Sequence, residues 1–352
     1  MRDVRELERH WSDYEFSAIA APFSTESIPP PLAYPEPIYL HVPGRGTALV
    51  SDAIDQAVVG ASTPAQLDDE PYQLPKTLKA SARYVLPVRS HGRLVFNGTI
   101  IGMRGDPLPP GPSAAPPARL HIAQFFDAVC SNEMCMLRIT HRETGEEFDP
   151  RHALLTDASG YLNTLAESTL ADAIGISTIA VTADGALVTV RQTRRNIASA
   201  LLLAPSGSGS LDPGDLKHDN RGNGAAGTLQ DIVRRGMERE LCEETGIRPE
   251  EIRRTRVTGF ARWLERGAKP EFFGLTELSA TASDLAERRP IASNERLYNG
   301  GTLLVTMDIS ALGHELAAGE DLLSAPSMPE RIRKDGSLPL LLALRAATRM
   351  SA

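Results

Sequence analysis

At 352 residues the chain is longer than one ordinary compact domain and is expected to form two. Its 41% hydrophobic content suffices for two cores, and a formal net charge of −8 with a pI near 5.6 argues against an electrostatic nucleic-acid binder. No apolar run approaches the ~18–20 residues that cross a membrane. Met1-Arg2-Asp3-Val4-Arg5-Glu6 lacks the apolar segment of a signal peptide, and Cys130, Cys135 and Cys242 supply neither a disulfide framework nor a zinc set, so the expected location is the cytoplasm.

In the first half, residues 22–43 carry Pro29-Pro30-Pro31, Pro35 and Pro37 and read as an extended arm or irregular surface. Residues 48–59 read as a short helix with Val50, Ile54 and Val58 on one side. Residues 82–101 read as strands: Tyr84-Val85-Leu86-Pro87-Val88, a turn at His91-Gly92, then Arg93-Leu94-Val95-Phe96. A second linker-like stretch, residues 107–117, holds six prolines, which exclude a helix or a central strand. Polar residues embedded in the apolar run 125–133 are expected to be buried and paired or to reach a ligand. Cys130 and Cys135 have no partners at metal-ligand spacing and are expected as buried thiols.

From residue 174 the pattern changes. Ser177-Thr178-Ile179-Ala180-Val181-Thr182, the turn Ala183-Asp184-Gly185, and Ala186-Leu187-Val188-Thr189-Val190 form a hairpin signature. Arg191, Arg194 and Arg195 follow, then apolar Leu201-Leu202-Leu203. The loop Ser206-Gly207-Ser208-Gly209-Ser210 suits close approach of backbone to phosphate or metal, or is simply a flexible turn.

A helix is predicted from Thr228. Thr228 with Asp231 fits a capping box, Val233, Met237 and Leu241 recur at i, i+4, i+8, and Gly246 with Pro249 marks the end. Its last turns read Arg239-Glu240-Leu241-Cys242-Glu243-Glu244-Thr245-Gly246-Ile247, so Glu240, Glu243 and Glu244 share one face at i, i+3, i+4. Three like charges repel unless a cation sits among them, and a hard divalent ion such as magnesium prefers carboxylate oxygen. The alternative is a solvated acidic helix end. Arg239 carries a permanent charge on a planar fork that can hold one of these carboxylates in place.

The nine residues from Arg239 to Ile247 match Arg-Glu-Leu-x-Glu-Glu-x-Gly-Ile and resemble the second half of the Nudix box, G-x5-E-x7-R-E-U-x-E-E-x-G-U. Without gaps, Ala225 and Asp231 fall on the first glycine and glutamate. Upstream, Gly209-Ser210-Leu211-Asp212-Pro213-Gly214-Asp215 fits G-x5-E with Asp for Glu. Asp215 then precedes Arg239 by 24 positions where the pattern allows 8, so the box is split by 16 extra residues. Residues 257–263 and 269–275 resemble the paired strands after the family's helix, residues 303–305 a further strand, and residues 340–350 a closing helix. The layout also resembles the UDP-sugar pyrophosphatase branch, which carries an N-terminal domain before an irregular box.

The resemblance implies an α/β fold: a Nudix-type α/β/α sandwich with a mixed sheet over residues 170–352, joined to an N-terminal α+β domain over residues 1–169. It implies hydrolysis of the diphosphate linkage in a nucleoside diphosphate-X compound, such as an NDP-sugar, with Mg2+ or Mn2+. Glu240, Glu243 and Glu244 match the metal carboxylates, Arg239 the arginine that orients them, and a carbonyl near Gly209 is a further candidate ligand. Glu271 and Glu295 are candidate bases. Arg194 and Arg195 are candidate phosphate clamps or solvated turn residues, and Phe272 or Trp263 a candidate stacking surface or core. The expected partner is a small nucleotide-type molecule, without nucleic acid or membrane, and a homodimer is a candidate assembly. The rival reading is a non-catalytic nucleotide or nucleotide-sugar sensor.

Overall fold

The computed structural model describes residues 10–18, 23, 28–60, 62–90, 96–109, 117–193, 201–216, 227–286, 288 and 299–349. The first half supplies strands β1 (Tyr14–Ala18), β2 (Ile38–Val42), β3 (Gly46–Val50), β4 (Ala65–Leu67), β5 (Thr99–Met103), β6 (Ala118–Gln124), β7 (Leu137–His141) and β8 (Glu147–Phe148). The second half supplies β9 (Gly175–Val181), β10 (Ala186–Gln192), β11 (Leu203–Ala204), β12 (Gly207–Ser210), β13 (Ile252–Trp263), β14 (Lys269–Leu278) and β15 (Asn299–Thr306). Helices α1 (Asp52–Gly60), α2 (Lys76–Ser90), α3 (Phe125–Val129), α4 (Arg151–Leu155) and α5 (Leu229–Thr245) matter below, with the closing helix Leu338–Thr348.

The largest sheet runs β11-β10-β9-β14-β13-β3-β2, with β12 added to β9 and β15 to β10. β14 and β9 are parallel while the other pairs are antiparallel, so the sheet is mixed. Helices cover both of its faces, and the reason lies in alternation along buried strands. Phe272 packs in a cluster with Ile232, Val233 and Met237 of α5, and with Ile54 and Val58 of α1. Its neighbour Phe273 packs with Leu340, Leu341 and Leu344 of the closing helix. This is the expected α/β arrangement, helix layers on either side of a mixed sheet. Among the described residues, no helix is long and apolar enough to cross a membrane.

Three expectations for the first half change. Residues 48–50 belong to β3, which pairs with Ala261, Arg262 and Trp263 of β13, and the helix begins only at Asp52. Residues 38–42, at the end of the proline-rich arm, form β2 beside it. The sheet therefore crosses the expected division at residue 169/170. Residues 84–88 lie inside α2 rather than in a strand: Leu78, Ser81, Val85 and Arg89 are buried at helical spacing, and Pro87 sits near the C-terminal end. Residues 91–95, expected as a turn and strand, lie outside the described residues, as do residues 110–116 of the second proline stretch. Cys130 and Cys135 are buried thiols, and burial pushes Cys130 up to about 12.

A buried ionic knot ties this half to the sheet. Glu133 accepts from Arg89 of α2 at 2.8 Å and from Arg266 in the turn after β13. The adjacent Asn132 donates to Asp172 at 2.9 Å and to the carbonyl of Gly267 at 3.2 Å. Burial alone would raise Glu133, but Arg266 and Arg89 outweigh it and hold its carboxyl down at about 2, against 4.5 ordinarily. A depressed acid stabilises the fold above its unfolded pKa and loses that contribution as pH falls through the folded value. The difference corresponds to ~3 kcal/mol, lost between about pH 4.5 and 2. Urea unfolding at pH 6 and pH 3 should show this slope in the native chain and a shallower one in Glu133→Gln. Equal slopes would mean that the knot contributes nothing to acid stability.

Candidate functional site

Helix α5 begins and ends as its sequence dictates. Thr228 accepts from the amide of Asp231 at 3.1 Å, and its hydroxyl donates to the Asp231 carboxylate at 2.9 Å. Gly246 terminates the helix at φ 75, with its N–H bonded to the Cys242 carbonyl at 3.0 Å. Val233, Met237 and Leu241 are fully buried, which fixes the rotation of the helix and turns its acidic end toward β12.

The glycine-rich stretch, open in sequence to being a loop, is strand β12, paired with Gly175 to Thr178 of β9. Its two glycines are required by close approach. A Cβ on Gly207 would lie 2.4 Å from the Leu241 amide nitrogen, and one on Gly209 would lie 2.1 Å from Oε1 of Glu240. The strand thus lies directly against the carboxylate end of α5, backbone to backbone at Gly207 and against the Glu240 carboxylate at Gly209. Gly207→Ala should cost ~2–3 kcal/mol in urea unfolding, because the obstruction is backbone and cannot rotate aside. A cost below about 0.5 kcal/mol would contradict this packing.

Arg239 is the hub. It makes a two-pronged bond to Asp215, Nε to Oδ1 and Nη2 to Oδ2, both at 3.0 Å. Nη2 also donates to the Ser210 carbonyl at 3.0 Å, and Nη1 donates to Glu240 Oε1 at 2.8 Å and reaches Glu243 Oε2 at 3.5 Å. Burial works against the guanidinium's charge, but Asp215, Glu240 and Asp212 outweigh it and raise its pKa. Asp215, to which sequence reasoning gave no role, is 3% exposed and anchors this fork. The upstream G-x5-E-like spacing was the signal for it. The 24 intervening positions are bridged in space, so both parts of the split motif meet at Arg239.

The three glutamates are held differently. Glu240 is 13% exposed in its side chain and turned to Arg239, while Glu243 is 45% exposed. Glu244 accepts from the Ser208 amide at 3.1 Å. Among the described residues, no three His, Cys, Asp or Glu side chains are drawn together closely enough to hold a metal ion. The donor types do fit a hard divalent cation, since three carboxylates on one helix face and the adjacent β12 backbone offer oxygen.

Other candidates are placed elsewhere. Glu271 lies on the far side of the sheet: its carboxylate covers Gly175, whose strand neighbour Ile176 and partner Gly209 face α5. There it forms a buried 2.9 Å ion pair with Lys269, so it does not converge with Glu240. Phe272 is wholly buried, with its ring 5.0 Å from that of Phe260, and Trp263 is in the opposite core, so neither presents an open face to a substrate. Arg194, Arg195 and Glu295 lie outside the described residues.

No family model matches the chain, and no curated protein matches it. Among solved structures it is similar to a protein from Deinococcus radiodurans, with 18% identity, covering 42% of this chain and 74% of that one, at a TM-score of 0.25. It is also similar to a MutT protein from Methanosarcina mazei Go1, with 13% identity, covering 50% and 95%, at a TM-score of 0.26. A Nudix hydrolase from M. smegmatis shares 14% identity, covering 59% and 93%, at a TM-score of 0.24. Likeness of this degree assigns no function.

Proposed function

We propose that the chain is a Nudix-type pyrophosphohydrolase that cleaves the diphosphate linkage of a nucleoside diphosphate-X compound, with NDP-sugars as the first substrates to try. The observation that carries this reading is strand β12 lying at its two glycines directly against the carboxylate end of α5, with Arg239 clamped between Asp215 and Glu240.

In this reading Glu240, Glu243 and Glu244 hold Mg2+ or Mn2+, with a carbonyl near Gly209 as a further ligand. The bound ion supplies charge neutralisation at the diphosphate and activation of water. Arg239 keeps Glu240 from swinging away and cannot surrender its proton to it. The close approach permitted by Gly207 and Gly209 sets the β12 backbone directly beside the Glu240 carboxylate. The net reaction adds water across one P–O bond of the bridge, releasing a nucleoside monophosphate and X-phosphate.

Release of nucleoside monophosphate from a panel of NDP-sugars, nucleotides and dinucleotides, with and without magnesium, tests it. Metal-dependent turnover of at least one member is expected; none across the panel would refute the hydrolase. A second reading, a nucleotide or nucleotide-sugar sensor, draws on Glu240 and Glu244 being engaged by Arg239 and by the Ser208 amide. Ligand binding without turnover or metal requirement would support that reading instead.

A further inference from the structure

Behind the carboxylate face, a groove of about 660 Å³ runs between the outer side of α5 and the start of β13. Four arginines and two glutamates line it: Arg234, Arg239, Arg253 and Arg254 with Glu238 and Glu243. Arg234 is occupied by Glu238 at 3.0 Å, and Arg239 by Asp215 and Glu240. Arg253 and Arg254 are exposed, and neither makes an ion pair or side-chain hydrogen bond among the described residues. On a chain of net charge −8, two unneutralised guanidinium groups in one concave site run against the overall field. The volume falls in the range of small-molecule sites. Arg239 and Glu243 belong both to this groove and to the acidic helix end, so the two are continuous.

We propose that this groove binds a phosphate group, with Arg253 and Arg254 as its ligands through charge-assisted, forked hydrogen bonds. Given the hydrolase reading, on which only the ligand's identity as substrate rests, the group is a phosphate lying beyond the scissile diphosphate. The groove then selects polyphosphate-bearing substrates over plain NDP-sugars. Cys242, also in the wall, takes no nucleophilic part: burial and then the Glu238 and Glu243 carboxylates push its thiol up to about 11.

Calorimetric titration of the full chain with inorganic tripolyphosphate, in low salt and without divalent metal, tests the site apart from turnover. The native chain should bind, R253Q/R254Q should bind at least about tenfold more weakly, and E240Q/E244Q should keep its affinity or gain. Both substituted arginines are exposed, so thermal unfolding of R253Q/R254Q should match the native chain. No binding by the native chain, or an unchanged affinity in R253Q/R254Q, overturns the proposal. Binding that is lost in R253Q/R254Q while no substrate turns over would leave the groove standing and count against the hydrolase alone. With turnover in hand, R253Q/R254Q should raise KM for a dinucleoside polyphosphate and leave that for an NDP-sugar unchanged; an equal rise for both overturns the selectivity.

Discussion

Glu243→Gln and Glu244→Gln should each lower magnesium-dependent kcat by at least about a hundredfold while leaving the fold intact. The substitution keeps size and shape and removes one negative charge, which for a hard-cation ligand removes most of the attraction. Stability should move little and in the opposite direction. Like charges at i, i+3 and i, i+4 on a helix cost only ~0.2–0.5 kcal/mol per pair, so each variant should unfold at the same or slightly higher urea concentration. Activity down with stability flat or up is the signature of carboxylates kept for chemistry rather than for the fold. Glu240→Gln should also lose turnover, and in addition loosen Arg239, whose Nη1 donates to that carboxylate at 2.8 Å. Full activity in Glu243→Gln and Glu244→Gln would leave the acidic face as a solvated helix end. The assay is initial-rate hydrolysis over a magnesium series, read beside urea unfolding of the same preparations.

How much of this was legible beforehand varies with the range of the interactions. Helix α5 was readable from cap to cap because every signal is local: Thr228 with Asp231, the buried stripe Val233, Met237 and Leu241, and Gly246 at the end. The paired strands β13 and β14 and the closing helix were anticipated through the family resemblance rather than through local signals, although Ser337 does cap that helix by accepting from Leu340. Helix α2 was not, because its buried positions include Ser81 and Arg89, which break the apolar stripe, and Pro87 reads as a breaker. Arg89 is buried only because Glu133, 44 residues away, receives it. The pairing of β3 with β13 joins residues some two hundred positions apart and leaves no local trace. Glu271 illustrates a different limit. Both faces of β14 are buried, so alternation of polar and apolar residues does not reveal which face its carboxylate takes.

Asp215→Ala should be the most damaging single change at the site. Asp215 is 3% exposed and receives both prongs of Arg239, whose side chain is 24% exposed. Breaking a fully buried ion pair costs ~3–5 kcal/mol, and the partial solvation of Arg239 places this one nearer 2–3 kcal/mol. Activity should fall with stability here, unlike in the glutamine variants, because the freed guanidinium can turn fully onto Glu240 and Glu243, which it already reaches at 2.8 and 3.5 Å. Arg239→Lys should not rescue the geometry, since an ammonium cannot bond Asp215 twice while also reaching Glu240. The pair should therefore be non-additive: Asp215→Ala/Arg239→Ala should destabilise by clearly less than the sum of the single changes, by at least about 1 kcal/mol in urea unfolding. Additive single and double variants would mean that the two parts of the split motif stand side by side without coupling, and the Asp215–Arg239 clamp would have no energetic content.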